Sequence, residues 1–286
     1  MIAVRLEGRL GNQLFQYAFI YASARKLGVM FYLDQSVHPF LLDKYFEVEP
    51  PPYHWLHKRI FSIPGYKNLF SYHLKNAFYT MLKRSHGLKT LNFSSTVAPG
   101  QELKKLSDGA LYNGFFQSSQ YWETHAADIA RLFTIQPRYK QQYELITKDL
   151  PQDKTLIVIH IRRGDYLNHN FNLPDSYYHN AIKALDIANP FYIFISDDPE
   201  HVRAEFAYLT NKYVSDNNEI VDLQLLQHAD VCILSNSSFS WWGAWLNNKP
   251  EKIVYAPKNW FGFREGTAYP AGIMNNLNYN FISIAD

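Results

Sequence analysis

Thr155-Leu156-Ile157-Val158-Ile159-His160-Ile161-Arg162-Arg163-Gly164-Asp165-Tyr166 is an apolar, β-branched run that stops abruptly at a cluster of charge. A parallel strand buried on both faces reads as such a run. In an open α/β sheet its carboxyl end delivers polar side chains into a ligand crevice. Unpaired guanidinium groups at the edge of a core are costly, so two adjacent arginines call for a partner. Phosphate oxygens match their planar fork. In a continuing strand Arg162 and Arg163 face opposite sides. Arg162 shares parity with His160 and is the candidate for the anion; Arg163 is expected to pair with Asp165 or a neighbouring carboxylate and hold the loop.

Outward from this strand the pattern alternates regularly. Strands are predicted at 155–161, 191–195, 212–215, 231–235 and 252–256, with helices near 174–188, 199–209, 219–229 and 239–247. Such alternation specifies a doubly wound parallel sheet. The second strand ends in Ser196-Asp197-Asp198 and the fourth in Ser235-Asn236-Ser237-Ser238-Phe239-Ser240, directly before a helix. Both should meet the arginines on one edge of the sheet. A single serine would suffice as a helix cap; a cluster of them at a helix N-terminus suits an anion. Trp241 and Trp245 share a helix face, for which packing against the sheet is favoured over stacking on a sugar. Two carboxylates alone make a poor metal cage, and Asp198 reads as a helix cap. Asp222, in an otherwise apolar helix, needs a partner. It caps or pairs locally, or accepts the two N–H groups that one edge of guanine presents.

The first half is less regular. Residues 1–7 read as a strand, leading through Gly8-Arg9-Leu10-Gly11-Asn12-Gln13 into a helix that Gly28 caps; Val29 to Asp34 is a second strand. The glycines do not fit a nucleotide fingerprint, yet a strand–glycine–helix junction can present Arg9 and Asn12 as donors. Residues 53–88 are expected to be helical with a break near Pro64-Gly65. A strand at 110–116 and helices at 120–133 and 137–148 follow. The composition of 149–153 suggests a linker, giving domains at 1–150 and 151–286.

Composition narrows the function classes. The formal charge is +2 and there is one cysteine, Cys232, within an apolar run, so no intramolecular disulfide forms and a reducing, cytoplasmic setting is expected. No run reaches the ~20 apolar residues that span a bilayer. Between Glu49 and Glu102 there is no acidic residue, while Lys58, Arg59, Lys67, Lys75, Lys83, Arg84 and Lys89 alternate with aromatic side chains. This stretch is either a solvated basic helical face, the favoured reading, or a surface for peripheral contact with anionic membrane. A nearly neutral chain without a nucleic-acid motif disfavours that partner.

Gly8-Arg9-Leu10-Gly11-Asn12-Gln13-Leu14-Phe15-Gln16, His160 to Tyr166, Ser196-Asp197-Asp198 and Ser235 to Trp242 together resemble the bacterial α-1,2-fucosyltransferases, glycosyltransferase family 11. The resemblance implies an α/β enzyme of the GT-B type, with two domains facing a cleft and a C-terminal doubly wound, Rossmann-like sheet. It implies metal-independent, inverting transfer of L-fucose from GDP-β-L-fucose to the 2-hydroxyl of a terminal galactose on an oligosaccharide or glycolipid-type acceptor. By position in the wider group, Arg162 meets the diphosphate, His160 and Asp222 hold guanine, and Ser237 and Ser238 meet phosphates beside Phe239. Arg9 and Asn12 approach the donor from the first domain, which is taken as the acceptor side. The sequence does not identify the base: Asp165, Glu7 and Asp34 lie near strand ends, each more readily structural than catalytic. Arg162, Asn12 and Asp165 are carried as the candidate catalytic residues. The alternatives are a transferase of another sugar nucleotide and a non-catalytic sugar- or nucleotide-binding protein.

Overall fold

The computed structural model describes residues 1–61, 69–275 and 277–284, with the backbone alone for 69–72. The chain divides into two compact units: Met1–Ile135 with Pro270–Asn275, and Gln136–Tyr269 with Asn276–Asp286.

In the first unit β1 (Ile2–Arg5) leads into α1 (Leu10–Leu27), β2 (Phe31–Asp34), α2 (Leu42–Tyr45), α3 (His54–Phe61) and α4 (Leu69–Ser85). Then come β3 (Lys89–Asn92), α5 (Pro99–Glu102), β4 (Ala110–Asn113) and α6 (Ala126–Leu132). The four strands form a parallel sheet in the order β2-β1-β4-β3. Helix α1 is buried on nearly every side, and Phe19 stacks on Phe116 at 3.7 Å between centroids. It ends at Gly28, whose φ of 66° closes the helix onto the carbonyls of Ala24 and Arg25. The expected helix over 120–133 is shorter. The Ser118 side chain accepts the Gln120 N–H, and two 3-10 turns precede α6, with Tyr121 and Trp122 buried between them. The basic stretch is helical as α3 and α4; the expected break near Pro64-Gly65 lies outside the described residues.

The second unit opens with α7 (Pro137–Thr147), β5 (Thr155–Ile161), α8 (Gly164–Leu167), α9 (Asp175–Lys183), β6 (Pro190–Ser196) and α10 (Pro199–Glu205). It continues with β7 (Lys212–Val214), α11 (Glu219–Gln227), β8 (Val231–Ile233), α12 (Ser238–Leu246), β9 (Ile253–Pro257) and β10 (Asn280–Ile282). The sheet is parallel, in the order β10-β9-β8-β5-β6-β7. Every strand predicted between 155 and 256 is present, within two residues at each end. The units part between residues 135 and 136 rather than at the expected 150, because α7 packs on α11: Gln224 donates to the Tyr139 carbonyl at 3.0 Å, and Tyr143 stacks on His228 at 4.7 Å. Residues 270–275 return to the first unit, where Ala271 N–H donates to Ser95 and Ser118 donates to the Gly272 carbonyl.

The core of the second unit fixes which way the site residues point. Ile157, Ile159 and Ile161 of β5 pack with Tyr177 and Tyr178 of α9 and Val202 of α10. His160 therefore projects from the opposite face, consistent with its contact to Phe239 on α12. The tryptophans after the serines serve packing. Trp241 and Trp242 are fully buried, and Trp241 stacks on Trp245 with planes 10° apart. Gly243 lets α12 close on α11; a Cβ there would meet the Leu226 Cβ at 2.5 Å.

Candidate donor-binding site

From β5 the chain passes to β6 and β7 on one side, then returns to β8, β9 and β10 on the other. The carboxyl ends of β5 and β8 thus flank a topological switch point, where open α/β sheets bind ligands. The arginine and serine segments of the sequence meet there. His160 Nδ1 lies 2.8 Å from the Ser235 hydroxyl. Burial first, then the charge of Arg162, pushes His160 down to about 3, so its ring is neutral at physiological pH. A neutral imidazole presents one donor and one acceptor nitrogen.

Arg162 is held between two carboxylates, Asp165 and Asp197, the latter at 2.8 Å, and its guanidinium lies 5.3 Å from the centre of the Tyr166 ring. Arg163 makes the loop contact expected of it, but with Asp198 rather than Asp165: Nε donates to Asp198 Oδ2 at 3.0 Å. Its backbone N–H donates to Asp197 Oδ1 at 2.9 Å. Asp197 therefore grips both arginines, and Gly164 is what lets it approach: a Cβ there would stand 2.4 Å from Asp197 Oδ2. Asp198 also caps α10, accepting the His201 N–H, and its Arg163 bond holds its pKa below the usual carboxylate range.

Ser237 caps α12 by accepting the Phe239 N–H, and its side chain neighbours the Tyr166 phenol. Burial pushes that phenol up to about 12, against the lowering effects of Arg162 and Ser237. Ser240 donates to the carbonyls of Ser235 and Ser237, and Asn236 donates to Phe171. These bonds fix the loop shape ahead of any ligand. Ser238 and Phe239 then occupy the first turn of α12, where N–H groups and the helix dipole favour negative charge. The cradle thus has a guanidinium on one wall and a helix N-terminus on the other.

Asp222 lies in the first turn of α11 and accepts the Ser215 hydroxyl at 2.5 Å. Burial pushes it up to about 7, opposed by the Ser215 bond and reinforced by Asp216 and Glu219. It is thus poised near neutrality at the carboxyl-end side of the sheet, two strands from β5.

In the first unit Gly8 has a φ of 78° and packs against Asn12, whose Oδ1 accepts from Gln117 at 3.0 Å. Arg9 precedes α1 and is exposed. Asp34, buried, accepts from Arg5 at 3.2 Å and from the Ser36 N–H at 2.9 Å, a structural role. The Gln16 side chain accepts the Glu7 N–H, tying that residue's backbone to α1. Sequence reasoning missed the double grip of Asp197. The hint was that Ser196-Asp197-Asp198 ends a predicted strand whose carboxyl end was expected on the same sheet edge as the arginines.

Two α/β units, each built on a parallel sheet, with a candidate anion cradle at the switch point of one, have the architecture of the GT-B fold class. Residues 1–265 match the family model for glycosyl transferase family 11, and the chain belongs to that family. It is 28% identical to the O-antigen biosynthesis glycosyltransferase WbnK of Escherichia coli, over 90% of this chain and 93% of the relative. It is also 28% identical to an alpha-1,2-colitosyltransferase of Escherichia coli, over 91% and 92%. The galactoside 2-alpha-L-fucosyltransferase Sec1 of Mus musculus is 24% identical, over 94% of this chain and 76% of its own. Among solved structures, the fucosyltransferase NodZ from Bradyrhizobium shares the fold with a TM-score of 0.52 at 12% identity, covering 85% of this chain and 91% of that one.

Proposed function

We propose that the protein transfers L-fucose from GDP-β-L-fucose to the 2-hydroxyl of a terminal β-galactoside with inversion, forming an α-1,2 linkage. The observation that carries this reading is that the ends of β5 and β8, which flank the switch point, lead respectively to Arg162, held by Asp165 and Asp197, and to the serine-rich N-terminus of α12. Family membership and the similarity to a galactoside 2-alpha-L-fucosyltransferase support the choice of sugar and linkage. Crystals of NodZ, whose fold the chain shares, have been soaked with GDP-fucose.

Departure of GDP builds negative charge on the diphosphate while the sugar acquires oxocarbenium character. Preorganised donors aimed at that charge stabilise the transition state more than the ground state. Asp165 and Asp197 hold the Arg162 fork in place, and its remaining N–H groups are directed to phosphate oxygens. The Ser237 and Ser238 end of α12 supplies backbone and hydroxyl donors, so the leaving group needs no metal. His160 and Asp222 hold guanine, the carboxylate accepting its two adjacent N–H groups, and Phe239 packs beside His160. Arg9 and Asn12 are the first-unit residues proposed to take part in the reaction. Asp165, paired with Arg162, holds the guanidinium in position.

A second donor sugar has a specific observation in its favour, the 28% identity to an alpha-1,2-colitosyltransferase. Colitose lacks the 3-hydroxyl of fucose, so competition between GDP-fucose and its 3-deoxy analogue separates the two. Among the described residues no helix is long and apolar enough to cross a membrane. Peripheral contact is proposed through α3 and α4, where exposed Trp55, Ile60, Leu74 and Met81 accompany Lys58, Arg59 and Arg84.

A further inference from the structure

Two helices of the second unit carry matched pairs of ligand-type side chains that the transfer reaction does not use. Asp175 and His179 lie four residues apart on α9; His201 and Glu205 lie four apart on α10. Residues at that spacing share a helix face. The two faces meet. His201 Nε2 is 3.0 Å from Asp175 Oδ1, and His179 Nε2 is 2.8 Å from Glu205 Oε1. One ligand atom from each of Asp175, His201 and Glu205 falls within 4.8 Å of the other two.

We propose that Asp175, His201 and Glu205 bind a divalent transition-metal ion of the zinc type, with His179 orienting Glu205. A nitrogen with two carboxylate oxygens is a zinc donor set, and three protein ligands leave one position for water. Tetrahedral bonds of ~2.1 Å place ligand atoms about 3.4 Å apart, so these side chains close on the ion with small rotations. The two carboxylates balance its charge. His179 has the support expected of an outer-shell partner: its Nδ1 is 3.0 Å from the Tyr208 hydroxyl, which fixes the ring while Nε2 faces Glu205. All four side chains are only partly buried, so an ion has access. The ion would tie the first turn of α9 to α10, the helix that Asp198 caps and that Arg163 thereby holds to the arginine loop. This inference does not rest on the proposed transfer activity, and the ion takes no part in that step.

The test uses tag-free full-length protein stripped with a chelator and titrated with ZnCl2 by calorimetry, with thermal unfolding followed in parallel. One saturable zinc per chain and a raised unfolding midpoint are expected, with no rise from MgCl2 or CaCl2 at the same concentration. His201→Ala should abolish binding, and His179→Phe should weaken it ~10- to 100-fold as loss of an outer-shell partner does. His228→Ala, on the Tyr143 side of the unit, should bind as the unaltered chain does. The His201 side chain is not part of the α10 cap, which uses its backbone N–H, so the variant should fold. Equal midpoints in EDTA verify this, and Asp175→Asn takes its place if they differ. Absence of saturable zinc binding, or unchanged binding in the substituted chain, overturns the proposal.

Discussion

Asp222→Asn separates a cost in stability from a gain in binding. Burial raises the carboxyl from 3.8 to about 7 in the folded chain. Because the folded value lies above the unfolded one, ionisation penalises folding in full above about pH 7, and the penalty fades as pH falls toward 4. The linkage sets an upper bound of roughly 4 kcal/mol at pH 8, of which about 1–3 kcal/mol should appear after relaxation and a less satisfied amide are allowed for. The ligand-free variant should therefore unfold a few degrees higher than the unaltered protein at pH 8, with the difference gone near pH 4. Binding should move the other way. Losing charge-assisted bonds to guanine costs about 1.5–3 kcal/mol each, hence at least tenfold in affinity. In the unaltered protein GDP affinity should fall roughly 30-fold between pH 8 and 5.5 as the carboxyl protonates. UDP carries the same diphosphate and controls for phosphate protonation, so the quantity to follow by calorimetry is the GDP-to-UDP affinity ratio. His160, already neutral, adds nothing across this range. A ratio that stays flat with pH, or an Asp222→Asn chain that keeps its preference for GDP, refutes the guanine role.

Arg162→Ala should lower kcat more than a hundredfold, since one transition-state donor is worth about 3 kcal/mol, while the circular dichroism spectrum is retained. Arg162→Lys should recover only part of it, because a lysine cannot make a forked contact. Initial rates in EDTA should match those with added Mg2+ within twofold; a strict requirement for the ion would remove the leaving-group role from Arg162 and α12. Vesicles containing phosphatidylserine should retain the protein in flotation at low salt and release it at high salt, and Trp55→Ala with Met81→Ser should abolish retention. Equal retention on neutral vesicles would exclude an electrostatic contact through α3 and α4.

The second unit was legible because its signals are local. β5 is apolar on both faces, and its expected bounds coincide with the observed Thr155–Ile161. Asp198-Pro199 marks the start of α10 by composition alone, and the structure has both the cap and the proline at N1. Two of the edge strands, β3 and β10, gave no such signal. β3, Lys89-Thr90-Leu91-Asn92, is mostly exposed and carries no apolar alternation. β10 is three residues long at the other sheet's edge. At the candidate site, sequence parity singled out Arg162, and its packing on Tyr166 and Asp197 follows from the chain turning out of the strand after Ile161. The grip of Asp197 on both arginines was not readable, since it spans 34 residues and depends on the β5–β6 register that sets Ile161 beside Ser196. Asp175, His179, His201 and Glu205 were hidden for the same reason: each pair is ordinary, and only the packing of α9 beside α10 joins them.

The most direct measurement is product analysis. The protein is incubated with GDP-fucose and a panel of galactose-terminated and galactose-free oligosaccharides, and the linkage of any product is established by NMR. Expected is fucose on the 2-hydroxyl of terminal β-galactose, in α configuration, and no product from the galactose-free acceptors. Fucose attached at another hydroxyl, a retained β configuration, or GDP-fucose left unconsumed by a protein that binds GDP would contradict the proposed transfer.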